Sequence, residues 1–361
     1  MAGGAGERFW PLSRQQRPKQ LLCLTDPDRS MLREAVDRLT PMIPAEHIYI
    51  ITSEKLAGLI READPGIPPE NVVAEPCKRN TAGALAYIAA HLLASHPERT
   101  PESISLAVNT ADHAIGEPEL FRKTLDAAMQ AAEKRDALVT CGVVPDSPDT
   151  GFGYIQAIDA RTAVGSEDIR VFSVKTFHEK PNRERAEDFV SNGSYFWNSG
   201  MFFWKISSFL KELDRVRPEI SLGVAAMAAA LKAGDKELAA EVFGQLDDIS
   251  IDYALMEHAN NVLMVRATFP WRDVGVWPHL ANVFPLDAKG NCTVGEPVLI
   301  DSRNCIVYNA SGNKQIAVGV AGIDDLVVVV TDDAVLVVPR DRAQDVRHIV
   351  KQLNELGADQ V

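Results

Sequence analysis

The first nineteen residues combine a glycine-rich segment with basic side chains, a combination suited to holding phosphate groups. Glycines let backbone N–H groups approach phosphate oxygens closely, and three lie near the start of the chain: Gly3, Gly4 and Gly6. Arg8 and Lys19 can neutralise charge that develops on a departing pyrophosphate. Pro11 and Pro18 stiffen the segment between them. A lone glycine cluster is typical of a flexible terminus, but the basic residues and prolines favour a phosphate loop.

The spacing of the glycines argues against two common nucleotide-binding motifs. A dinucleotide fingerprint has the pattern G-x-G-x-x-G, but Phe9 follows Gly4-Ala5-Gly6 where a third glycine is needed. A P-loop requires G-K-[ST] after its glycines, and the sequence lacks it. The spacing therefore excludes an NAD-dependent oxidoreductase and a P-loop enzyme.

Two aspartates follow apolar runs that have the composition of buried strands. Asp112 comes after the run 103–109, and Asp273 comes after the run 262–267. In a parallel sheet such strand ends converge on a ligand crevice, and carboxylate oxygens suit Mg²⁺. An isolated aspartate at a strand end is more often a turn or cap residue. The residues alone leave both interpretations open.

Three motifs in the middle of the chain carry groups able to bind a phosphorylated sugar. In FHEKP, the Glu179 carboxylate can accept hydroxyl hydrogen bonds and the Lys180 ammonium can neutralise a phosphate. Asn198, in WNSGMFFW, can donate to and accept from hydroxyls, and Gly153, in GFGYIQ, would let a sugar approach the backbone. A solvated ion pair, a turn residue and a hairpin glycine are their ordinary structural interpretations. The aromatic residues around Asn198 are expected to pack in the core.

Short β-branched runs alternate with longer helical patterns through most of the chain. Runs at 47–53, 103–109 and 138–144 predict buried strands, and 80–95 predicts a buried helix that Asn80 or Thr81 could cap. This alternation indicates a mostly parallel sheet with helices on both faces. Beyond about residue 284, short strand-like runs separated by Gly, Asn and Asp predict a small β-rich domain that ends in a helix. For that helix, Asp341 with Gln344 suggests a capping box and Gly357 a C-terminal stop.

The overall composition limits the classes of partner. The chain has 361 residues and a formal net charge of −13, which argues against general binding to nucleic acid or anionic membranes. The five cysteines are scattered without a C-x-x-C pair, so neither a disulfide framework nor a zinc site is indicated. A reducing cytoplasm fits this pattern. The apolar run near residues 326–338 is interrupted by Asp332 and Asp333 and is too short to span a bilayer.

The glycine segment resembles the signature of sugar-1-phosphate nucleotidyltransferases, written G-G-x-G-x-R-x-x-P-L-S-R-x-x-x-P-K-Q. The P-L-S-R and P-K-Q details resemble the mannose-1-phosphate guanylyltransferase branch. The resemblance continues, in the family's order, through EPCKRNTAGALA, NTADHAI, GFGYIQ, FHEKP, YFWNSGMFFW, SIDYALMEH and FPWRDVGVW. It covers nearly the whole predicted catalytic region, and the C-terminal segment after residue 331 is also similar to that of the family.

The resemblance implies an α/β, Rossmann-like nucleotidyltransferase domain with a mostly parallel mixed sheet at 1–284 and a short β-helix-like domain at 285–361. It implies transfer of GMP from GTP to mannose 1-phosphate with Mg²⁺, without a covalent enzyme intermediate. The implied roles are catalytic groups Arg8 and Lys19; nucleotide-binding residues Ala2, Gly3, Gly4, Gly6, Glu75, Asn80 and Thr81; sugar-phosphate residues Gly153, Glu179, Lys180 and Asn198; and metal ligands Asp112 and Asp273. No nucleic-acid or membrane partner is expected, and a homodimer is one possible assembly.

The start of the chain and a few motif residues differ from the family pattern. The family pattern has an apolar central strand directly before the glycines, whereas only Met1 and Ala2 precede them here, so we expect the native chain to begin several residues earlier. Gly83, Val276 and the start of NTADH depart from the more common family residues without removing a charged group. A different sugar 1-phosphate or nucleotide, and a non-catalytic sugar-nucleotide sensor, remain the alternatives.

Overall fold

The computed structural model describes residues 1–4, 6–26, 28–162, 169–312 and 316–361, and gives the backbone alone at 159–162. Its α-helices are α1 (Met31–Leu39), α2 (Glu54–Glu62), α3 (Asn80–Ser95), α4 (Pro118–Arg135), α5 (Arg183–Asn192), α6 (Ile206–Val216), α7 (Pro218–Lys232), α8 (Lys236–Gly244) and α9 (Val346–Glu355). The first ten strands are β1 (Ile50–Ser53), β2 (Val72–Glu75), β3 (Ser105–Val108), β4 (His113–Ile115), β5 (Leu138–Val143), β6 (Tyr154–Thr162), β7 (Val171–His178), β8 (Tyr195–Lys205), β9 (Val262–Arg266) and β10 (Trp271–Asp273). The C-terminal strands are β11 (Cys292–Val294), β12 (Val298–Ile300), β13 (Ile306–Asn309), β14 (Gly319–Ala321), β15 (Leu326–Val330) and β16 (Val335–Pro339).

The largest sheet has six strands in the order β3-β8-β5-β9-β7-β6, and β8 also pairs with β6. An α/β fold with a mixed sheet is observed, but within this sheet the described residues form a single parallel pair, β5–β9. The proportion of parallel pairs is lower than the sequence suggested. The reason is that β8, an eleven-residue strand, runs antiparallel to β3, β5 and β6, and β7 runs antiparallel to β6 and β9.

Alternate residues of the sheet enter two separate hydrophobic clusters. Val139 and Phe203 belong to the cluster that includes α1, α2 and α4, whereas Leu138 and Phe202 belong to the cluster that includes α3, α6 and α7. Successive side chains of a strand point to opposite faces, so helices cover both faces of the sheet, as predicted. The aromatic residues around Asn198 are buried, which confirms their core role: Phe196, Trp197, Phe202, Phe203 and Trp204.

Helix α3 has the predicted bounds, 80–95, because its small and aliphatic residues pack against α7. The predicted side-chain caps are not formed. The Asn80 side chain accepts from the adjacent Thr81 amide (2.9 Å), and the Thr81 hydroxyl accepts from the Ile251 amide (2.8 Å). Thr81 therefore joins the start of α3 to the segment before residue 252.

Strands β1 and β2 form a separate parallel pair. In the described part of the chain β1 does not pair with β3, and a cavity of about 460 Å³ lies between them, lined largely by apolar side chains. The Met1 amino group donates to the Asn109 carbonyl (2.7 Å) and the Ala2 amide donates to the Ile51 carbonyl (3.0 Å) at one end of this cavity. The additional strand expected before the glycines remains a prediction.

A short antiparallel ribbon joins two distant parts of the sequence. Strand β4 pairs with β10 so that His113 lies opposite Asp273 and Ile115 opposite Trp271. The Trp271 indole donates to Nδ1 of His113 (3.0 Å), and the two rings pack edge to face. This register brings Asp112, the neighbour of His113 in the sequence, close to Asp273.

The C-terminal region is β-rich, as predicted. Strands β11, β13 and β15 pair in parallel, β16 adds antiparallel to β15, and β12 pairs in parallel with β14. The proposed capping box is wrong because Asp341 lies in a 3₁₀ turn at Arg340–Asp345, and α9 begins only at Val346. Gly357 follows α9 with φ of 68°, as expected of a helix stop. In the described ranges, no helix is long and apolar enough to cross a membrane.

Candidate active site

The glycine segment is fixed mainly through its carbonyl groups. Five hydrogen bonds among the described residues hold it: the Ala2 amide to the Ile51 carbonyl (3.0 Å), the Thr52 hydroxyl to the Ala2 carbonyl (2.8 Å), the Gln20 side-chain amide to the Gly4 carbonyl (2.8 Å), and the Ser13 hydroxyl and the Phe9 backbone amide to the Gly6 carbonyl (2.8 Å each). Within the described residues, the N–H groups of Gly3, Gly4 and Gly6 donate to no acceptor. The segment thus presents unpaired donors, which suit phosphate oxygens.

The glycines are required for two different reasons. Gly6 has φ of 69°, and a Cβ there would collide with the Cβ of Lys19. A side chain at Gly3 or Gly4 would meet no atom closer than 3.9 Å. Packing within the protein therefore requires Gly6 but leaves open space at Gly3 and Gly4. That space is available to a ligand.

Two basic side chains face the same cavity, of about 300 Å³, and they differ in their partners. Nζ of Lys19 is buried and donates to both the carbonyl and Oδ2 of Asp112, each at 3.0 Å. An ammonium has three N–H donors, so one remains for a ligand. The Arg8 guanidinium has no hydrogen bond or ion pair with any described residue.

The β4–β10 ribbon brings the two predicted aspartates to this cavity. Nε2 of His113 lies 3.9 Å from Oδ1 of Asp112 and 4.0 Å from Oδ1 of Asp273. Lys19 and His113 keep the pKa of Asp112 low, at about 2, although burial alone would raise it. As the sequence indicated, Asp112 follows β3 and Asp273 follows β9, two strands that run in the same direction in the six-stranded sheet. The antiparallel pairing of β4 with β10, which the sequence did not indicate, then brings the two aspartates to the same place.

The carboxylates at this cavity could hold a divalent cation together with substrate phosphates. No group of three or more His, Cys, Asp or Glu side chains in the described ranges could hold a metal by itself. Mg²⁺ is often bound by one or two carboxylates together with substrate phosphates. The hard oxygens of Asp112 and Asp273, facing a cavity lined by unpaired N–H groups, fit that mode of binding.

A second group of polar residues surrounds Glu179, at the end of β7. The Glu179 side chain is 9% exposed, and its Oε2 is buried without a hydrogen-bond partner. A Cβ at Gly153 would lie 2.5 Å from that oxygen, so only glycine leaves room there. The side chain of Lys180 is largely exposed, and its Nζ lies 3.3 Å from Oε1 of Glu179. Asn198 lies beside them, because its backbone N–H donates to the Gly153 carbonyl (2.8 Å).

Sequence reasoning missed Asp252, which begins a five-residue π-helical turn, Asp252–Met256. Nδ2 of Asn198 donates to Oδ1 of Asp252 (2.9 Å). The sequence did contain a signal for Asp252: an aspartate and a glutamate lie five residues apart in the largely apolar motif SIDYALMEH. His113 was also missed, although it directly follows Asp112.

The residues predicted to bind the nucleoside lie at the end of β2 and at the start of α3. Glu75 ends β2 next to the glycine segment, where its Oε1 lies 3.9 Å from a Cβ built on Gly3. Its Oε2 is buried without a partner, and burial, followed by repulsion from Asp248, raises its pKa to about 7. Asn80 is exposed at the first position of α3, and Thr81 holds Ile251. Glu75 therefore lies beside the glycine segment, whereas Asn80 and Thr81 lie at the start of α3.

Comparisons with known proteins agree with this geometry. A family model described as nucleotidyl transferase matches residues 1–290, and one described as a mannose-phosphate isomerase/GMP-like β-helix domain matches residues 295–353. The mannose-1-phosphate guanylyltransferase of Escherichia coli K12 is 38% identical over 364 residues, which is 99% of this chain and 73% of that protein. The alginate biosynthesis protein AlgA of Pseudomonas aeruginosa is 36% identical over 368 residues, 99% of this chain and 72% of that protein.

The chain belongs to the mannose-1-phosphate guanylyltransferase family. A crystal structure described as mannose-1-phosphate geranyltransferase from Thermus thermophilus has 34% identity and a TM-score of 0.83, with 98% of each chain covered. A structure described as mannose-6-phosphate isomerase from Helicobacter pylori has 27% identity and a TM-score of 0.57, covering 72% of this chain and 96% of that one. The family resemblance and the fold class that the sequence predicted are both confirmed. A nucleotidyltransferase domain is followed by a β-helix-like domain that ends in a helix.

In this member of the family, the C-terminal region packs directly behind the glycine segment. The Phe9 ring lies 5.1 Å from that of Trp277, and the Trp277 indole donates to the Trp10 carbonyl (3.1 Å). The Trp10 indole donates to the Gln360 carbonyl (2.7 Å). Phe9 and Trp10 thus share one hydrophobic cluster with strands β13, β15 and β16 and helix α9.

The acidic group around Asp252 predicts a pH-dependent stability. Burial, followed by repulsion from Glu179, raises the pKa of Asp252 from 3.8 to about 7, although Lys180 opposes this. Between those values the folded state binds more protons than the unfolded state, so the free energy of unfolding falls as pH rises. Asp252→Asn should therefore raise the free energy of unfolding at pH 8 by on the order of 1–2 kcal/mol after solvent screening.

The measurement is urea denaturation of both proteins at several pH values from 5 to 8. The gain should shrink steadily toward pH 5, because the wild-type carboxyl is then protonated. A variant that is equally destabilised at every pH would contradict the assigned cause.

Proposed function

We propose that the chain transfers GMP from GTP to α-D-mannose 1-phosphate and releases GDP-mannose and pyrophosphate. The observation that carries this is the 300 Å³ cavity, where unpaired glycine amides, Arg8 and Lys19 face the carboxylates of Asp112 and Asp273. A site with this charge pattern suits a triphosphate. Family membership directs the choice of acceptor to mannose 1-phosphate.

The reaction needs alignment and charge neutralisation. A phosphate oxygen of the sugar phosphate bonds to the α-phosphorus of GTP, and the bond from that phosphorus to the pyrophosphate oxygen breaks. Because both reactants are anions, their repulsion is the main obstacle. The amides of Gly3, Gly4 and Gly6 hold the triphosphate, and Ala2, fixed by its hydrogen bonds with Ile51 and Thr52, positions them. Arg8 with the third N–H of Lys19 neutralises the leaving pyrophosphate.

Asp112 and Asp273 would hold a divalent cation, which we propose to be Mg²⁺. When bound, the cation supplies positive charge to phosphate oxygens. His113 contributes from the protein side. Because Nδ1 accepts from the Trp271 indole, its Nε2 carries the proton and points between the two carboxylates. It thereby limits their mutual repulsion in the absence of substrate.

The sugar phosphate is proposed to bind at the group around Glu179. The exposed Lys180 ammonium would pair with the phosphate, and Glu179 and Asn198 would bind sugar hydroxyls. Gly153 leaves the space above Glu179 that the sugar requires. Asn80 and Thr81, at the start of α3, are proposed to contact the nucleoside of GTP.

Glu75 is proposed to read the guanine base. Guanine presents N1–H and N2–H donors on one edge, and a carboxylate with a buried, unpartnered oxygen is a matching acceptor. Glu75→Gln should raise KM for GTP about 10- to 100-fold, because the new NH₂ group opposes these donors. The discrimination between GTP and ATP should fall by a similar factor.

The measurement is kcat/KM for both nucleotides with the wild type, Glu75→Gln and the matched control Glu70→Gln. Glu70 is exposed just before β2, so its variant should retain wild-type values. Unchanged discrimination in Glu75→Gln would remove Glu75 from the base pocket.

The proposed function is tested by pyrophosphate release with Mg²⁺ across four nucleoside triphosphates and several sugar 1-phosphates. Activity confined to GTP with mannose 1-phosphate is expected. Activity with another sugar phosphate would redefine the acceptor. No turnover with retained GDP-mannose binding would indicate a sensor. A cytoplasmic location and a homodimer remain predictions, the latter testable by analytical ultracentrifugation.

A further inference from the structure

The hydrogen bonds of the Asn198 side chain leave it mainly a donor toward a ligand. Its Oδ1 accepts from the Gly200 backbone amide (3.2 Å) and shares the single proton of the Thr140 hydroxyl (3.1 Å) with the Met201 carbonyl (3.2 Å). A backbone amide can only donate, so Gly200 fixes the oxygen on that side and directs the NH₂ group toward Asp252. One N–H donates to Asp252 and one is left. Asn198 can therefore donate to a ligand, while its oxygen is already engaged by the Gly200 amide and, in part, by the Thr140 hydroxyl.

Hydroxyl acceptors must then come from the neighbouring carboxylates. Oε2 of Glu179 is buried without a partner. Oδ2 of Asp252 receives no hydrogen bond from another described residue, since the bond from Asn198 goes to Oδ1. Two carboxylate oxygens thus remain available beside the free N–H of Asn198.

The segment that begins at Asp252 fixes both carboxylates. It forms a π-helical turn, a rare geometry that is common at functional sites. Glu257, directly after this turn, accepts from the Glu179 amide (3.2 Å). At the other end, Thr81 holds Ile251 (2.8 Å). The turn therefore sets the position of Asp252 relative to Glu179.

The charge of this group selects the chemistry of its ligand. Asp252, Glu179 and Glu257 are three acidic residues, and the neighbouring basic group is Lys180. The carboxylates would repel an anionic group placed directly against them, whereas neutral hydroxyl groups would donate to them, and Lys180 is the group suited to the phosphate of the substrate. The polar but uncharged face of a sugar fits this requirement.

We propose that Asp252 determines sugar specificity: it orients Asn198 and, together with Glu179, accepts hydrogen bonds from two hydroxyls of the bound sugar. The inference rests on the proposed function, because the sugar is the one carried by the sugar 1-phosphate substrate. One hydroxyl donates to Asp252 and can accept from the free N–H of Asn198.

The test uses Asp252→Asn, which keeps the size of the side chain and removes its charge. We expect kcat/KM for mannose 1-phosphate to fall about 30-fold, corresponding to roughly two hydrogen bonds of ordinary strength, while KM for GTP changes less than about twofold. The matched control is Asp247→Asn, which removes an exposed carboxylate from the preceding segment. It should retain wild-type values.

Deoxy analogues of mannose 1-phosphate distinguish a direct contact from a structural role. The ratio of wild-type to Asp252→Asn activity should collapse toward one for the analogue that lacks the hydroxyl bound by Asp252, and persist for the others. An equal ratio for every analogue, or unchanged kinetics with mannose 1-phosphate, would overturn the proposal.

A binding measurement separates this proposal from the proposed function. Calorimetry compares GDP and GDP-mannose on both proteins. The additional affinity conferred by the sugar should be lost in Asp252→Asn, while GDP binding shows that the variant is folded.

If the wild type lacks turnover, the proposed function fails and this comparison still decides the role of Asp252. If the additional affinity survives, the role of Asp252 fails alone. Should Asp252→Asn not bind GDP, Asp252→Ser is measured in the same way.

Discussion

Replacing Arg8 with alanine is expected to lower kcat/KM for GTP by about three orders of magnitude while the melting temperature stays within about 2 °C of the wild type. The reason is that the guanidinium faces the 300 Å³ cavity without a hydrogen bond or ion pair to any described residue. Folding therefore does not depend on it, whereas a bound triphosphate would be its first partner. Steady-state pyrophosphate release and thermal denaturation measure the two quantities.

The control for Arg8 lies in the same segment. Arg17 is exposed, so Arg17→Ala removes an equal charge and should keep kcat/KM within about threefold. Arg8→Lys should recover only part of the loss, because an ammonium cannot make the paired contacts of a guanidinium. Equal losses in Arg8→Ala and Arg17→Ala would show that general electrostatic attraction, and no specific contact, is responsible.

Asp273→Asn is expected to reduce kcat by about 10³-fold and to raise the Mg²⁺ concentration for half-maximal activity about tenfold or more. Asp273 is the more informative of the two aspartates. Asp112 is paired with Lys19 at 3.0 Å, so its removal would also leave a buried ammonium unpaired. Asp273 makes no such pair with a described residue, and Nε2 of His113 lies 4.0 Å from its Oδ1.

The measurement is activity as a function of Mg²⁺ concentration, with Asp301→Asn as the control. The Asp301 carboxylate is 86% exposed in the C-terminal region and should be dispensable. Retained kcat and Mg²⁺ dependence in Asp273→Asn would remove this residue from the cation site. A loss that high Mg²⁺ fully restores would assign it to cation affinity alone.

Local chemistry could be predicted from the sequence because it is encoded by adjacent residues. The glycine segment, Arg8 and Lys19 lie within nineteen positions, and Glu179 and Lys180 are neighbours. Helix α3 was predicted with its observed bounds, since a long run of small and aliphatic residues has few alternatives. Strand positions were also correct to within three residues at each end for β1, β3 and β5.

Long-range pairing could not be predicted, because the sequence does not encode which distant strands meet. The β4–β10 ribbon joins residues 158 positions apart through the contact of Trp271 with His113. Each of these strands has three residues, too few for a periodic pattern. The role of Asp252 also depends on tertiary structure, since its partner Asn198 is 54 positions away.

The packing of Phe9 and Trp10 against the C-terminal region has a consequence for heat inactivation. The segment that would hold the triphosphate is bounded on one side by a hydrophobic cluster to which β13, β15, β16 and α9 contribute. Partial unfolding of those elements would release the segment while the six-stranded sheet stays intact. Activity should then be lost at a lower temperature than most of the secondary structure, which makes catalysis a sensitive reporter of how firmly the C-terminal region is docked.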